Sequence, residues 1–494
     1  MKNALKFWLH LVKNSEVISE SACNKVTKPL FVRSAFLICV LFVCVYAGCP
    51  KPGKSVSPGE KKEDDAAEVD FQPTWDLHEF DVNGLKVIYK HTPKNPVVAV
   101  RMYFDGGCSN LTPETAGVEE LLLSTMEMGG SKNFPMDDLS DALEQRGIQL
   151  HAAAGQDYSV LALKSTKEHF ETGWRIFSDL TVNPLLGDIP FKVQKGRQLR
   201  AIRTKMDSPD SQISVSAERF FFPRHPYSLM QMGTEANVEK LTVEDLRAHH
   251  SKLLNPSRMV LVAVGDLGRK ELEKKVRKAF GSLEPAPAKE IEAEYFGHKT
   301  NRVRYVPRDL PTNYVLGYFS VPRPGQEDFS AARVAAAFLS ERLFEELRTK
   351  QRLVYAVTAG TAVRRFNIGY IYLATKKPNE AVASIFKQIS RLAEEGVSEE
   401  DLDEMRSVFI TRRLLDLQTQ SAQAKLLARA HLVAGDGSWA EKSLADMRAV
   451  TGEDVRRVLA KYITNIQFVL LGPAKVDPQQ FRAPKVHLPD GGKE

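Results

Sequence analysis

Residues 117–130, GVEELLLSTMEMGG, hold the acidic side chains of this chain that are best placed for metal chemistry. Glu120 could bind a metal ion, and further glutamates are close to it in the same stretch. Ser124, one helical turn later, is a poor zinc ligand, and Leu123 cannot act as a general base. The stretch therefore offers a carboxylate ligand without a base, which argues against zinc hydrolysis by this chain alone.

The flanking segments predict the elements that position this stretch. PVVAVRMYF at 96–104 is a β-branched and aromatic run typical of a strand, and it ends in two glycines. A polar loop follows, and apolar residues then recur at helical spacing up to Gly129 and Gly130. The helical set comprises Val118, Leu121, Leu122 and Met126. The local frame is therefore strand, loop and helix.

Further motifs follow in a defined order: DSP at 207–209, HPY at 225–227, LTVEDLR at 241–247 and VAVGD at 262–266. Over residues 75–475 this order resembles the pitrilysin/insulinase-type metallopeptidases, inverted zincins of the processing-peptidase-like kind. In that family the helix carries H-x-x-E-H, with two zinc-binding His and a Glu base. The resemblance places Glu120, Leu123 and Ser124 in these slots, so it implies a member that lacks the zinc motif.

The same resemblance concerns a second helix. In the family, a further Glu on a downstream helix completes the metal site. GRQLRAIRTKM at 196–206 occupies that region, and the resemblance places Arg200, or a nearby Arg or Lys, in the slot. A cation there would repel a metal ion. The resemblance thus implies neither a metal ligand set nor a catalytic residue in this chain.

Other catalytic arrangements find no support. His249 and His250 lie in LTVEDLRAHH without an H-x-x-E-H frame, and His225 belongs to the HPY sequence, so we predict surface or structural histidines. No G-x-S-x-G motif occurs, and Cys108 carries no sequence signal of activation.

The second half carries a different motif. SERLFEELRTKQRLVYAV at 340–357 resembles the C-terminal substrate-binding segment of the same family, in which an Arg and a Tyr seven residues later reach the substrate. The matching residues are Arg348 and Tyr355. A guanidinium and a phenol can both donate hydrogen bonds to a peptide carbonyl and to the oxyanion that develops on it. Alternatively, Arg348 pairs with Glu345 and Tyr355 is a core aromatic residue that opens a strand.

An internal repeat at an offset near 209 residues predicts two similar halves. LTVEDLRAHH returns as VTGEDVRRVL, MVLVAVGD as FVLLGP, and VVAVRMYF as NYVLGYFS. We therefore expect an α+β fold of two similar sandwich domains, each a mostly antiparallel sheet with packed helices, that form a clamshell. The predicted segments are a leader (1–48), a flexible tether (49–72), an N-terminal peptidase-like domain (73–284), a linker (285–299), a C-terminal peptidase-like domain (300–475) and a tail (476–494).

The first segments predict export. SAFLICVLFVCVYAG at 34–48 reads as a signal core, and Cys49 follows it directly, as in a bacterial lipoprotein whose Cys49 is lipidated. An ordinary signal peptide or a plain anchor helix is the alternative. The formal net charge is +6, but six Lys or Arg and only two Glu precede Cys49, so the body of the chain is nearly neutral. Nucleic acid is therefore not expected as a partner.

These observations predict a non-catalytic, substrate-binding subunit of a heterodimeric zinc metallopeptidase of the bacterial cell envelope. The chain itself would hold no cofactor. A homologous H-x-x-E-H partner would supply the zinc, and an extended peptide would be the substrate. The lipid anchor would attach the chain to the membrane. The alternatives are a pseudoenzyme that acts as a scaffold or peptide-binding module, and a zinc enzyme with altered ligands.

Overall fold

The computed structural model describes residues 76–287, 298–435 and 437–482, which belong to one compact unit. The predicted leader, the tether, Cys49, most of the linker and the tail beyond 482 lie outside the described residues. Among the helices of the described ranges, none has the length and the apolar content that a membrane crossing requires.

The N-terminal half is built on a six-stranded sheet. Its strands are β1 (Leu77–Val82), β2 (Leu85–His91), β3 (Val97–Asp105), β6 (Gln149–Ala153), β7 (Tyr158–Thr166) and β8 (Met259–Gly265), and a separate hairpin is formed by β4 (Gly130–Ser131) and β5 (Phe134–Pro135). The order in the sheet is β1-β2-β8-β3-β7-β6. Strands β2 and β8 pair in parallel, and the other neighbours pair antiparallel.

In the ranges that the structure describes, eight α-helices accompany this sheet. They are α1 (Val118–Gly129), α2 (Met136–Glu144), α3 (Phe170–Val182), α4 (Asp188–Asp207), α5 (Pro209–Phe221), α6 (Glu235–Val238), α7 (Val243–Leu253) and α8 (Arg269–Phe280). The DSP sequence separates α4 from α5, where the side chain of Ser208 caps the second helix and Pro209 occupies its first position.

The C-terminal half repeats this plan. Its strands are β9 (Arg302–Pro307), β10 (Asn313–Ser320), β11 (Ala356–Ala362), β12 (Ile368–Thr375) and β13 (Gln467–Gly472), in the order β11-β12-β10-β13-β9. Its helices are α9 (Phe329–Leu343), which continues as a π-helical turn (Phe344–Lys350), α10 (Pro378–Glu395), α11 (Glu399–Asp416), α12 (Gln420–Ala434), α13 (Trp439–Arg448) and α14 (Gly452–Tyr462).

The prediction of an α+β fold with two similar halves is confirmed. Strand β3 lies antiparallel to β8, as β10 does to β13, and β8 and β13 each have one parallel neighbour. The repeated helices α7 and α14 both begin with a capping box, formed by Thr242 with Asp245 and by Thr451 with Asp454. The predicted domain boundaries remain a prediction, because the two halves pack into a single unit.

The two halves exchange helices. Every residue of β8 and β13 is buried, because alternate side chains face opposite sides of each sheet and both sides are covered. One face of each sheet packs on helices of its own half. The other face of the N-terminal sheet is covered by α12, and that of the C-terminal sheet by α5. Each half therefore completes the core of the other.

Asp328, directly before α9, is expected to give the protein part of its acid sensitivity. Its buried carboxylate accepts hydrogen bonds from Arg457 (2.6 Å), Lys461 (2.9 Å) and Tyr462 (2.9 Å). Burial alone would raise the pKa of Asp328, but these donors outweigh it and lower the pKa to about 2. Because the folded-state pKa lies below the unfolded one, the stabilisation is complete above about pH 4 and is lost as the pH falls towards 2.

We expect Asp328→Asn to lower the free energy of unfolding by about 2 kcal/mol at neutral pH. The difference from the wild type should shrink steadily below pH 4, as urea denaturation at a series of pH values would reveal. A difference that is independent of pH would contradict the assignment.

Candidate functional site

Helix α1, which carries the slots of the zinc motif, is held tightly at its start. Gly117 has φ 100°, and a Cβ atom there would lie 2.9 Å from the carbonyl oxygen of Met232, so glycine is required on both grounds. Val118, Leu121, Leu122 and Met126 all face the core of the N-terminal half, as the helical spacing predicts.

The three slots are filled by groups that do not suit zinc. Leu123 is 1% exposed and belongs to the core. The Ser124 hydroxyl donates to the carbonyl of Leu121 at 3.2 Å. Glu120 accepts a bond from Gln231 Nε2 at 3.4 Å, and burial raises the pKa of Glu120 while the charge of Lys205 partly opposes that rise. The slots thus contain one carboxyl group, that of Glu120, whose pKa is raised by burial, and the slot of the general base holds Leu123.

Helix α4 contacts α1 through a residue other than Arg200. The Arg200 side chain is exposed. Gln198, two residues earlier, donates from Nε2 to the carbonyls of Gly117 (3.0 Å) and Met232 (2.8 Å). Within the described ranges no group of three or more His, Cys, Asp or Glu side chains could hold a metal ion. The residues present at this site therefore do not fit the zinc ion of the inverted zincins.

A buried polar cluster under the slots was missed by the sequence reasoning. Glu119, 1% exposed, lies 2.8 Å from His249 Nε2 on α7, accepts from the hydroxyl of Ser159, and lies 3.5 Å from the Asn110 amide nitrogen. His249 is itself 6% exposed, so it is structural and not a surface residue. The adjacent His250 bonds to the carbonyl of Thr181 at 2.9 Å.

A second pair lies beside the slots, at the edge of the N-terminal sheet. Glu127 accepts a hydrogen bond from the backbone N–H of Ala152 in edge strand β6 at 2.8 Å. Its carboxylate also lies 3.5 Å from His151 Nδ1, and this bond raises the pKa of His151. Helix α1 thereby holds the edge strand in place next to Glu120.

Arg348 and Tyr355 lie together at the surface of the C-terminal half. Arg348 is on the π-helical turn, whose i to i−5 bond runs from Gln351 N to Glu346 O at 2.9 Å. Arg352 then adopts φ 52° and the chain reverses. Arg348 Nη1 donates to the carbonyl of Val354 at 2.9 Å, next to Tyr355. π-helical turns and left-handed non-glycine residues are concentrated at functional sites.

The surroundings of this pair do not match the structural alternative raised by the sequence. Arg348 makes no ion pair with Glu345, and Tyr355 is 52% exposed, so it is not a core residue. The N–H of Tyr355 donates to Ala374 O at 2.8 Å, which fixes its backbone to β12. Tyr355 directly precedes β11, an edge strand. A guanidinium and a phenol thus stand at the start of an edge strand of the C-terminal sheet.

Comparison with known families defines the class of protein. Residues 86–218 match the family described as Insulinase (Peptidase family M16), and residues 240–409 match the Peptidase M16 inactive domain. The chain belongs to the M16 family, and its second half matches the model of the domain described as inactive.

Individual relatives carry names of both kinds. A Helicobacter pylori protein named "Non-peptidase homolog YmxG" is 23% identical, over 69% of this chain and 81% of its own length. The "Zinc protease PqqE" of the same organism is 22% identical, over 70% and 81%.

Solved structures share the fold. The peptidase M16 inactive domain from Pseudomonas fluorescens superposes with a TM-score of 0.74 at 18% identity, over 81% of this chain and 99% of its own. The periplasmic protease PqqL from Escherichia coli gives a TM-score of 0.70 at 15% identity, over 87% of this chain but 49% of its own.

Proposed function

We propose that this chain is the non-catalytic, substrate-binding subunit of a heterodimeric zinc metallopeptidase that acts on peptides in the bacterial cell envelope. The observation that carries the proposal is the contrast between the two halves. The zinc slots hold Leu123 and Ser124, whereas Arg348 and Tyr355 stand together, exposed, at the start of edge strand β11.

The proposed division of labour is chemical. A homologous partner with H-x-x-E-H brings the zinc, the base and the water. This subunit brings Arg348 and Tyr355, which donate to the peptide carbonyl and to the developing oxyanion, and it needs no cofactor of its own. An extended peptide adds to an open sheet edge, where backbone hydrogen bonds provide affinity without demanding a sequence.

The match to the protease PqqL supports a pair of subunits. This chain matches 49% of PqqL, so a homologous partner with the same fold would correspond to the remaining part. Lipidation of Cys49 and the tether 49–72 would hold this subunit at a membrane surface. The partner would be held there by its association with this subunit.

The proposal is tested by peptide hydrolysis with this chain alone, with an H-x-x-E-H homologue alone, and with both mixed. We expect activity in the mixture only, and loss of that activity when the partner's motif Glu is changed to Gln. Hydrolysis and bound zinc in this chain alone would identify a zinc enzyme with altered ligands.

The alternative is a pseudoenzyme scaffold or peptide-binding module without a role in proteolysis. The relative named as a non-peptidase homologue favours it. Failure of the two chains to associate, with peptide binding retained, would establish this alternative.

A further inference from the structure

Five arginines gather where helices α9, α11 and α12 meet strand β3. They are Arg101, Arg333, Arg412, Arg413 and Arg429. None of these five, which we call the arginine cluster, lies within 4.0 Å of a carboxylate in the described part of the chain. By contrast, Arg365 is paired with Asp105 and Arg364 with Glu218. One carboxylate, that of Asp416 at the end of α11, acts on Arg333 and Arg413, so the arginine cluster carries an excess of positive charge.

The arginine cluster is only partly accessible to solvent. Water and salt therefore screen the repulsion between its charges only weakly. All five side chains are half-buried. Burial lowers the pKa of Arg333 to about 10, and Arg413, Arg429 and Arg412 add to the effect, which Asp416 partly opposes. Burial likewise lowers the pKa of Arg413 to about 10, against the opposing charge of Asp416. Holding these cations together costs free energy in the free protein, a cost that a bound anion would remove.

The hydroxyl of Tyr103, which is 1% exposed, lies beside the arginine cluster. Burial raises the pKa of Tyr103 to about 12, and the charge of Arg101, a hydrogen bond with Arg101 and the charge of Arg429 oppose that rise. The Arg101 guanidinium is thus in contact with a neutral phenol.

Neutral groups hold Arg101 and other members of the arginine cluster in place. Arg101 Nη2 donates to Ser421 at 2.7 Å, and Arg413 Nη2 to Ser443 at 2.9 Å. The Arg333 guanidinium lies 5.7 Å from the ring centre of Phe329 and 5.4 Å from that of Phe409. Such contacts orient a guanidinium without neutralising it. The cluster is thus positioned while its charge stays available.

The internal repeat relates the position of the arginine cluster to that of the zinc slots in the N-terminal half. Helices α9 and α11 are the counterparts of α1 and α4, which carry Glu120 and Arg200. Arg333 stands near the start of α9 as Glu120 does near the start of α1, and Arg412 stands in α11 about where Arg200 stands in α4. The C-terminal half therefore places arginines at its counterpart of the metal-site position.

We propose that the arginine cluster binds the carboxylates of an acidic peptide segment. Ser421, which Arg101 contacts, and Arg429 are eight residues apart on α12, which is about 12 Å along a helix. Carboxylates spaced along a chain can meet guanidiniums over that distance, whereas a single phosphate meets only the nearest ones. The aromatic rings between the arginines offer apolar contact. This inference rests on the proposed peptide binding and gives it a substrate class.

The test is fluorescence anisotropy with the full chain in detergent and no partner. The probe is a labelled peptide of alternating Glu and Ala, and its matched control replaces every Glu by Gln. We expect the Glu peptide to bind and the Gln peptide not to. Arg429→Gln and Arg412→Gln should each weaken binding about tenfold, the value of one charge-assisted contact. Arg277→Gln, on the exposed face of α8, should leave binding unchanged.

Thermal unfolding separates binding from folding. Because Arg429 makes no hydrogen bond or ion pair in the described structure, Arg429→Gln should leave the Tm unchanged or raise it. Equal binding of the Gln peptide, an equal loss in Arg277→Gln, a lower Tm in Arg429→Gln, or competition by inorganic phosphate as effective as by the peptide would each overturn the proposal. Peptide binding without hydrolysis in the mixed assay would remove the split peptidase and leave this site intact.

Discussion

Arg348→Ala is expected to lower kcat/KM of the mixed, two-chain peptidase by about 100- to 1,000-fold, the usual cost of removing one donor to an oxyanion. The expectation follows from the position of the guanidinium, which is exposed and fixed by Val354 O at 2.9 Å beside the half-exposed phenol of Tyr355. Tyr355→Phe should have a smaller effect, of about tenfold, because it removes a neutral donor.

Lys350→Ala is the matched control, since Lys350 is an exposed cation on the same π-helical turn and pairs with Glu346. It should leave hydrolysis unchanged. Because Arg348 also holds the turn, its Tm should be measured, and Arg348→Lys should recover part of the activity if charge alone matters. Unchanged activity in Arg348→Ala, or an equal loss in Lys350→Ala, would exclude a role of this pair in hydrolysis.

His249→Leu is expected to lower the free energy of unfolding by about 3 to 5 kcal/mol. The change leaves the Glu119 carboxylate buried and without its imidazole partner, with only Ser159 and Asn110 in contact. Urea denaturation monitored by tryptophan fluorescence would measure the loss. The double variant Glu119→Leu, His249→Leu should be more stable than the single one, because no buried charge remains.

His151→Leu offers the comparison at an exposed site. The His151 side chain is 57% exposed and lies 3.5 Å from Glu127, so its loss should cost less than about 1 kcal/mol. A loss in His249→Leu no larger than this, or a double variant less stable than the single one, would show that the pair is not held as the structure indicates.

The parts of the fold that could be predicted from sequence are those encoded locally. The capping boxes at Thr242 and Thr451 and the fully apolar runs of β8 and β13 each lie within a dozen residues, so the repeat announced both the elements and their counterparts. The apolar runs indicated burial on both faces. They did not indicate that the second face is covered by a helix of the other half.

The parts of the site that could not be predicted depend on distant residues. Glu119 and His249 are 130 positions apart, and the motifs in which they lie assign no role to either residue. In α4, polar and basic residues surround the helix almost evenly, so nothing in the sequence reveals that Gln198, and not Arg200, turns towards α1. Arg348 and Tyr355 could be proposed from the sequence because the motif that carries them is short and continuous.

The exchange of α5 and α12 between the halves has a consequence for folding and ancestry. Neither half can bury both faces of its sheet without the other, so neither is expected to persist as an autonomous folding unit, and the described body should melt in one cooperative step. A domain-swapped homodimer, in which each protomer covers the sheet of the other with a helix, would have the same arrangement. Joining its two protomers end to end would give a chain like this one. Gene duplication would then have preserved an ancient quaternary contact as the interior of one chain.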